Sequence, residues 1–228
     1  VNKPADMPVH PSLGNYTNTL ANGVAAYLET KGESCPFRCI NRLDRDTSGA
    51  LILAKNALSA AILSVQMRNR QISRTYLAVV EGIPRQSGTI SAPISRAADS
   101  VIERRIDFEN GESAITHYQL LEVKNNHSLL EIHLETGRTH QIRAHLSYMG
   151  HPIFGDPKYG DAVLNKKLTS GYGLHMQLLH AWHLVFPELS GDFEGLSGKS
   201  IYAPAPKQFV SIAQKRGLGT WEHGIPEV

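Results

Sequence analysis

The sequence predicts an α+β fold with a mixed, mainly antiparallel sheet. Several segments alternate apolar and polar residues with a period of two, and fewer show a helical period. Strands and helices do not alternate regularly along the chain, which disfavours a parallel sheet. With 228 residues, 41% of them hydrophobic, the chain is long enough to bury a sizeable core. No segment has the composition of a linker, so we predict a single domain over 1–228.

The clearest strands form a predicted hairpin over residues 114–135. Leu130, Ile132 and Leu134 alternate with polar residues, as in a strand with one buried face. Asn125-Asn126 lies between the two arms and supplies a turn. The other predicted strands are 50–54, 75–80 and 179–186.

Helical periodicity is clearest over residues 56–70, where apolar residues recur every three or four positions. Further helices are predicted at 17–30, 139–149 and 207–216, and Gly150 ends the second of these. Residues 151–160 and 189–200 are rich in residues that favour turns and are predicted to be loops.

Several classes of protein are excluded by composition. No stretch approaches the roughly 18 apolar residues of a membrane-spanning helix, and the N-terminus lacks the apolar region of a signal peptide. Cys35 and Cys39 do not have the C-x-x-C spacing of a redox or zinc motif. We therefore expect reduced thiols and a cytoplasmic location, with no membrane partner.

Charge is distributed unevenly, although the net charge is only +2. Between Arg38 and Arg74 there are seven basic and two acidic residues, a net charge of +5. Such a segment is typical of a surface that binds a polyanion, and equally of a solvated helix face.

Common nucleotide and metal motifs are missing from the sequence. Gly198-Lys199-Ser200 resembles the end of a phosphate-binding loop, but Phe193 stands where that motif requires glycine. His140 and His145 are five residues apart, a spacing that makes them diverge on a helix. We therefore expect no bound metal.

Two segments stand out. Asn41–Gly49 is a charged run with one apolar residue that leads into a predicted strand. On its own this reads as a turn in which Asp44 or Asp46 caps backbone amides. Glu135–Leu146 joins a predicted strand to a predicted helix, and Gly137 permits the tight bend between them.

Together these segments resemble the signature motifs of the RluA family of RNA pseudouridine synthases. Arg42-Leu43-Asp44 followed by Thr47-Ser48-Gly49 matches the first motif, and the run from Gly137 to Leu146 matches a later one. Five further segments fit the family's motifs in the same order: Asn2–Ala5, Arg74-Thr75-Tyr76, His151-Pro152-Ile153, Gly155-Asp156 and Tyr159-Gly160. The matches span residues 2 to 186.

The resemblance implies a pseudouridine synthase fold with a central cleft flanked by helices and loops, acting on RNA. Asp44 matches the catalytic aspartate, Tyr76 the tyrosine that stacks on the target uracil, and Arg143 the arginine that pairs with the aspartate. Arg42 matches an arginine that enters the RNA stack where the base left. The resemblance further predicts substrate contacts from the later motif: Arg138, Thr139, His140 and Gln141.

The resemblance implies no cofactor and no metal, and we expect a monomer that acts on ribosomal or transfer RNA. Asp44 is expected to act as a nucleophile or as a base, and the sequence leaves both open. Asn41 stands where the family often has histidine, and Asp6 where glycine is common, which bears on the choice of RNA. Many members carry an N-terminal RNA-binding domain of the S4 type, and we expect none before motifs that begin at Asn2.

Three other functions remain to be weighed. An RNA-binding module without activity is disfavoured by the presence of Asp44, Tyr76 and Arg143. A metal-dependent hydrolase would have to use the 11 histidines. A purely structural ribosome-associated protein would not depend on any single carboxylate.

Overall fold

A computed structural model describes residues 1–97, 100 and 102–219, which form two compact units. Unit 1 comprises Val1–Arg74 and Ala181–Pro204, and unit 2 comprises Thr75–His180 and the described residues from Ala205 onward. The elements in chain order are β1 (Asn2–Lys3), α1 (Leu20–Thr30), β2 (Ser48–Ala50), α2 (Ala57–Arg68), β3 (Ser73–Glu81), β4 (Ser87–Ser91), β5 (Ile94–Arg96), β6 (Arg104–Ile106), β7 (Ile115–Lys124), β8 (His127–Leu134), α3 (Gln141–Tyr148), α4 (Ala162–Tyr172), β9 (Leu179–Val185), a 3₁₀ helix (Gly191–Leu196), β10 (Ser200–Tyr202) and α5 (Lys207–Lys215).

Unit 1 is built on a sheet whose strand order is β1-β2-β9, with β10 paired to β9. Pairs β1–β2 and β9–β10 are antiparallel. Helix α2 starts at the N-cap Asn56, whose side chain accepts a hydrogen bond from the backbone of Ser59. Leu63 of this helix packs with Ile72 and Phe186 in the core of the unit.

Unit 2 contains the antiparallel strands β3-β8-β7-β4 and a separate hairpin, β5–β6. Strands β3 and β8 pair from Thr75 opposite His133 to Glu81 opposite His127, and their central residues are completely buried. The turn between β7 and β8 has Asn125 and Asn126 at φ of 51° and 60°, in the left-handed region that asparagine tolerates. A second core cluster joins Ile94, Ala114 and Ala144.

The predicted fold class is confirmed, and the main strands and helices lie close to their predicted positions. The strand predicted at 50–54 is an exception, because β2 ends at Ala50. The backbone N–H of Ile52 donates to the Asn41 side chain at 2.9 Å instead of to a neighbouring strand. The predicted loop 189–200 contains the 3₁₀ helix and the first residue of β10.

Candidate active site

Asp44 lies in a turn that leads directly into β2. The backbone N–H of Thr47 donates to the carbonyl oxygen of Asp44 at 3.2 Å, which closes the turn. Asp44 is half-buried, Leu43 is buried and Arg42 is exposed. The Arg-Leu-Asp motif therefore inserts its leucine into the protein while the arginine remains in solvent.

The strand after this turn is fixed by a close backbone approach. Gly49 has φ of +121°, and a Cβ at this position would lie 2.2 Å from the carbonyl oxygen of Ala181 in β9. Only glycine permits this conformation and this separation. On the other side of the turn, buried Asn41 donates to the carbonyl oxygen of Ala50 at 3.3 Å. The Asp44 turn is thus held at both ends.

Lys3 supports the same turn from inside unit 1. Its side chain is completely buried, and Nζ donates to the carbonyl oxygens of Pro4 at 2.7 Å, Met7 at 2.8 Å and Arg45 at 2.8 Å. An ammonium has three N–H donors, so these three bonds satisfy it. Burial lowers the pKa of Lys3 to about 8, and the nearby carboxylates, Asp46 first, oppose this shift.

The lowered pKa of Lys3 predicts that stability rises with pH above neutrality. Between the folded value of about 8 and the ordinary value of 10.5, the unfolded chain binds more protons than the folded one. The free energy of unfolding should therefore increase across this interval, by roughly 3 kcal/mol from Lys3 alone.

Urea unfolding of the parent and of Lys3→Met, from pH 7 to 10.5, measures this contribution. The difference between the two curves should change with pH, because other titrating groups act equally on both. Parallel curves would contradict the assignment.

Tyr76 lies near the start of β3, opposite Ile132 of β8. Its side chain is only 4% exposed, and the neighbouring Thr75 is also buried. The position of the Tyr76 ring is therefore fixed by the two paired strands.

Arg143 lies on α3 and forms a bidentate ion pair with Asp156. Nε and one terminal nitrogen of Arg143 donate to the two carboxylate oxygens at 2.7 and 2.8 Å. The side chains are 4% and 0% exposed. The backbone N–H groups of Lys158 and Tyr159 also donate to Asp156, at 2.9 and 3.1 Å. Asp156 therefore fixes the plane of the Arg143 guanidinium and occupies two of the five N–H donors of that group.

His140 is the N-cap of α3 and adopts a left-handed conformation with φ of 55°. Its Nδ1 lies 3.0 Å from the hydroxyl of Tyr159, which accepts a hydrogen bond from the backbone N–H of Arg104 at 2.8 Å. Burial raises the pKa of Tyr159, so its hydroxyl stays protonated, and it donates to Nδ1 in the tautomer of His140 that leaves this nitrogen unprotonated. The Tyr159 ring also lies 5.1 Å from the guanidinium of Arg143.

Gln141 anchors the segment before α3. Its amide oxygen accepts from the hydroxyl of Thr136 at 2.7 Å and the backbone N–H of Arg138 at 3.0 Å. Its amide nitrogen donates to the carbonyl oxygen of Ile115 and the hydroxyl of Thr116, both at 3.0 Å. All four hydrogen-bonding positions of the amide are occupied by protein, which supports a structural role for Gln141.

The other two residues predicted from this motif, Arg138 and Thr139, lie closer to solvent. Arg138 is exposed, forms an ion pair with Glu112 and donates from Nε to the carbonyl oxygen of Ser113 at 3.1 Å. Thr139 is half-buried. Both therefore remain candidates for contacts with a ligand.

His145 is completely buried and is held by two hydrogen bonds. It lies 2.9 Å from the Thr116 hydroxyl and 2.9 Å from the carbonyl oxygen of Ala92. Burial lowers its pKa, which favours the neutral ring. Among the described residues, no group of three or more His, Cys, Asp or Glu side chains is placed to hold a metal ion. Nor is any helix in that part of the chain long and apolar enough to cross a membrane.

Comparison with known proteins assigns a family to this set of residues. A protein-family model described as RNA pseudouridylate synthase matches residues 1–148, well over half of the chain. The chain belongs to the RNA pseudouridylate synthase family. The matched region contains the Asp44 turn, Tyr76 and Arg143, whereas Asp156 and Tyr159 lie beyond it.

Relatives and solved structures agree with this family assignment. An uncharacterized RNA pseudouridine synthase of Bacillus subtilis, YhcT, is 42% identical over 192 residues, which cover 83% of this chain and 62% of that protein. The ribosomal large subunit pseudouridine synthase D of Zymomonas mobilis is 39% identical, over 88% of this chain and 63% of that protein. The structure of human RNA pseudouridylate synthase domain containing 4 superposes with a TM-score of 0.72 at 26% identity, covering 95% of this chain and 88% of that one. The chain thus spans somewhat less than two thirds of the two bacterial relatives.

Asp156, Tyr159 and the supporting role of Lys3 were not predicted from sequence. A signal for the first two was present, since Gly155-Asp156 and Tyr159-Gly160 belong to the matched motifs. Their roles depend on contacts with Arg143 and His140, which residue types and spacing do not reveal.

Proposed function

We propose that this RNA pseudouridylate synthase family member converts a specific uridine in structured RNA to pseudouridine. The family match over residues 1–148, which includes Asp44, Tyr76 and Arg143, is the observation that carries the proposal. The reaction breaks the N1–C1′ bond, rotates the base and joins C5 to C1′. The hydrogen on C5 leaves to solvent and N1 gains one, so the product is an isomer of the substrate.

In this proposal Asp44 acts on the sugar, as a nucleophile or as a base. Either role requires the ionised carboxylate. We propose Arg143 as the partner of Asp44, as the family resemblance implies, and Asp156 keeps the Arg143 guanidinium in one orientation. The planar, permanently charged fork of arginine suits it to contact two carboxylates at once.

The target base must leave the RNA stack before it can react. Extrusion costs a few kcal/mol. Stacking on the ring of Tyr76 returns about 1–3 kcal/mol. Arg42, which is exposed two residues before Asp44, is proposed to enter the position in the RNA stack that the base leaves. Arg138, Thr139 and His140 are proposed as further contacts with the RNA, and Gln141 as their structural support.

Ribosomal RNA is the first candidate substrate, because the relative from Zymomonas mobilis is named for the large ribosomal subunit. Transfer RNA is the second candidate. Five of the seven basic residues between Arg38 and Arg74 are exposed, namely Arg42, Arg45, Lys55, Arg68 and Arg70. Exposed cations bind phosphates with a strong dependence on salt.

The reaction oxidises nothing and transfers no group between molecules. We therefore propose that the protein acts without a metal or an organic cofactor, as a cytoplasmic monomer. Only the lack of a cofactor follows from the chemistry of the proposed reaction; the location and the monomeric state are carried over from the sequence-based expectations.

Pseudouridine formation in purified RNA tests the proposal. Unmodified ribosomal and transfer RNA transcripts are incubated with the protein, labelled with a carbodiimide that persists on pseudouridine, and sequenced by reverse transcription. One or a few protein-dependent stops at uridines are expected. An absence of stops in both RNAs, under conditions where the RNA binds, would favour a binding module without activity.

Tyr76→Phe should preserve RNA affinity to within about threefold, because the stacking ring remains. Affinity is measured by fluorescence anisotropy at fixed salt, with Tyr76→Leu as the comparison, since leucine removes the aromatic ring. A large loss of affinity in Tyr76→Phe would show that the hydroxyl, and not the ring, carries the interaction.

A further inference from the structure

The β5–β6 hairpin places two arginines directly opposite each other. Arg96 and Arg104 are paired in the antiparallel register, so their side chains lie on the same face of the hairpin. Like charges at directly opposed positions destabilise a strand pair. An anionic partner on this face would relieve that repulsion.

Two carboxylates of this hairpin region that the structure describes are engaged by other cations. Glu103 lies 3.4 Å from Nζ of Lys158, and Asp107 lies 3.5 Å from Arg105. In the described part of the chain, neither Arg96 nor Arg104 has a carboxylate within ion-pair distance. Arg104 donates instead to two backbone carbonyls near the end of the hairpin, at 3.1 and 3.2 Å. Arg96 is exposed.

Strand β6, which carries Arg104, is connected to α3 through Tyr159. The hydroxyl of Tyr159 bonds the backbone N–H of Arg104 and Nδ1 of His140, and its ring lies against Arg143. The backbone N–H of Tyr159 also donates to Asp156, the partner of Arg143. One side chain therefore contacts both the arginine-bearing strand and the proposed catalytic guanidinium.

We propose that Arg96 and Arg104 bind a phosphate of the RNA, and that Tyr159 transmits this contact to Arg143. Tyr159 is a positioning residue in this account, because it touches the side chain that acts and not the reacting atoms. The inference rests on the proposed function for its effect on turnover, but the phosphate contact itself does not.

The hydrogen bonds of the Tyr159 hydroxyl explain how the two parts would be linked. A phosphate held by both arginines fixes β6, and β6 fixes the tyrosine through the backbone N–H of Arg104. The tyrosine then limits the movement of His140 and of the Arg143 guanidinium above its ring. Small displacements of a catalytic group have large effects on rate.

Two substitutions and their combination test this link. Arg96→Gln removes one cation from an exposed strand, and Tyr159→Phe removes the hydroxyl while retaining the ring. Tyr172→Phe is the matched control, since the Tyr172 ring also lies under an arginine, 5.4 Å from the Arg216 guanidinium. Pseudouridine formation is followed in multiple turnover with RNA in excess, which gives kcat and KM, and active-site titration corrects kcat for any inactive fraction.

Arg96→Gln should lower the slope of log KM against log salt by about 0.7, as expected for one lost phosphate contact to single-stranded RNA. It should also lower kcat about threefold in the parent, because phosphate binding positions Arg143. Tyr159→Phe should lower kcat about tenfold and leave the salt slope unchanged. In the Tyr159→Phe background, Arg96→Gln should change KM but no longer change kcat. Tyr172→Phe should match the parent.

Other results separate the two proposals. An unchanged salt slope in Arg96→Gln, with an active parent, overturns the phosphate site and leaves the proposed function intact. Equal effects of Arg96→Gln on kcat in both backgrounds overturn the link through Tyr159. If the parent binds RNA with an Arg96-dependent salt slope but forms no pseudouridine, the phosphate site stands and the proposed function fails.

Discussion

Replacing Asp156 by asparagine is expected to lower the free energy of unfolding by about 3 kcal/mol, because it leaves a buried guanidinium without its anionic partner. Both side chains of the Arg143–Asp156 pair are almost inaccessible to solvent, so water cannot replace the lost interaction. The asparagine oxygen can keep the bonds from the backbone N–H groups of Lys158 and Tyr159, which share one carboxylate oxygen, but the NH2 group then faces the Nε–H donor of Arg143. The loop that carries these residues should loosen together with Arg143.

Urea unfolding of parent and Asp156→Asn at pH 7 measures this effect. Lys158→Gln is the control, because it breaks the ion pair of Lys158 with Glu103 in the same loop. Both side chains of that pair are partly exposed, so it is expected to contribute under about 1 kcal/mol. If Asp156→Asn lost no more stability than Lys158→Gln, the buried pair would not have the structural role that we assign to it.

The long strands were predictable from sequence because local patterns determine them. The β7–β8 hairpin shows a period of two on both arms, and its turn uses asparagines that tolerate positive φ. Helix α3 was also predicted, with Gly150 as its end. In each case, a stretch of about ten residues contains the information that sets the element.

Elements that depend on distant neighbours were missed. Helix α4 has an N-cap at Asp161 and a left-handed C-cap at Gly173, but Leu168 is the only buried residue in it. Without an apolar stripe, its sequence gives no periodic signal. The short strands β4, β5, β6 and β10 have three to five residues each and form only because partner strands are already in place.

The candidate site shows the same division between local and distant information. The motif containing Asp44 was identifiable from sequence, and so were the segments of Tyr76 and Arg143. The supports were not predicted, because they are long-range. Lys3 bonds a carbonyl 42 residues away, and Asp156 pairs with a residue 13 positions before it.

Asp44→Asn is expected to reduce turnover at least about a thousandfold while leaving RNA binding nearly unchanged. Asparagine keeps the size of the side chain but can neither attack the sugar as a carboxylate nor accept its proton. The surrounding turn should persist, because its backbone is held by Lys3 and by the hydrogen bond from Thr47 to the carbonyl of residue 44. A loss of activity with retained affinity would therefore reflect chemistry and not folding.

Tritium release from RNA labelled at uracil C5 tests the central claim most directly. Hydrogen leaves C5 only if a new bond forms there, so each turnover releases one label. The control is Glu29→Gln, which removes an exposed carboxylate on α1 and should release tritium at close to the parent rate. We expect release by the parent and by Glu29→Gln, and none detectable from Asp44→Asn. Release by Asp44→Asn within about tenfold of the parent would contradict the catalytic role of Asp44.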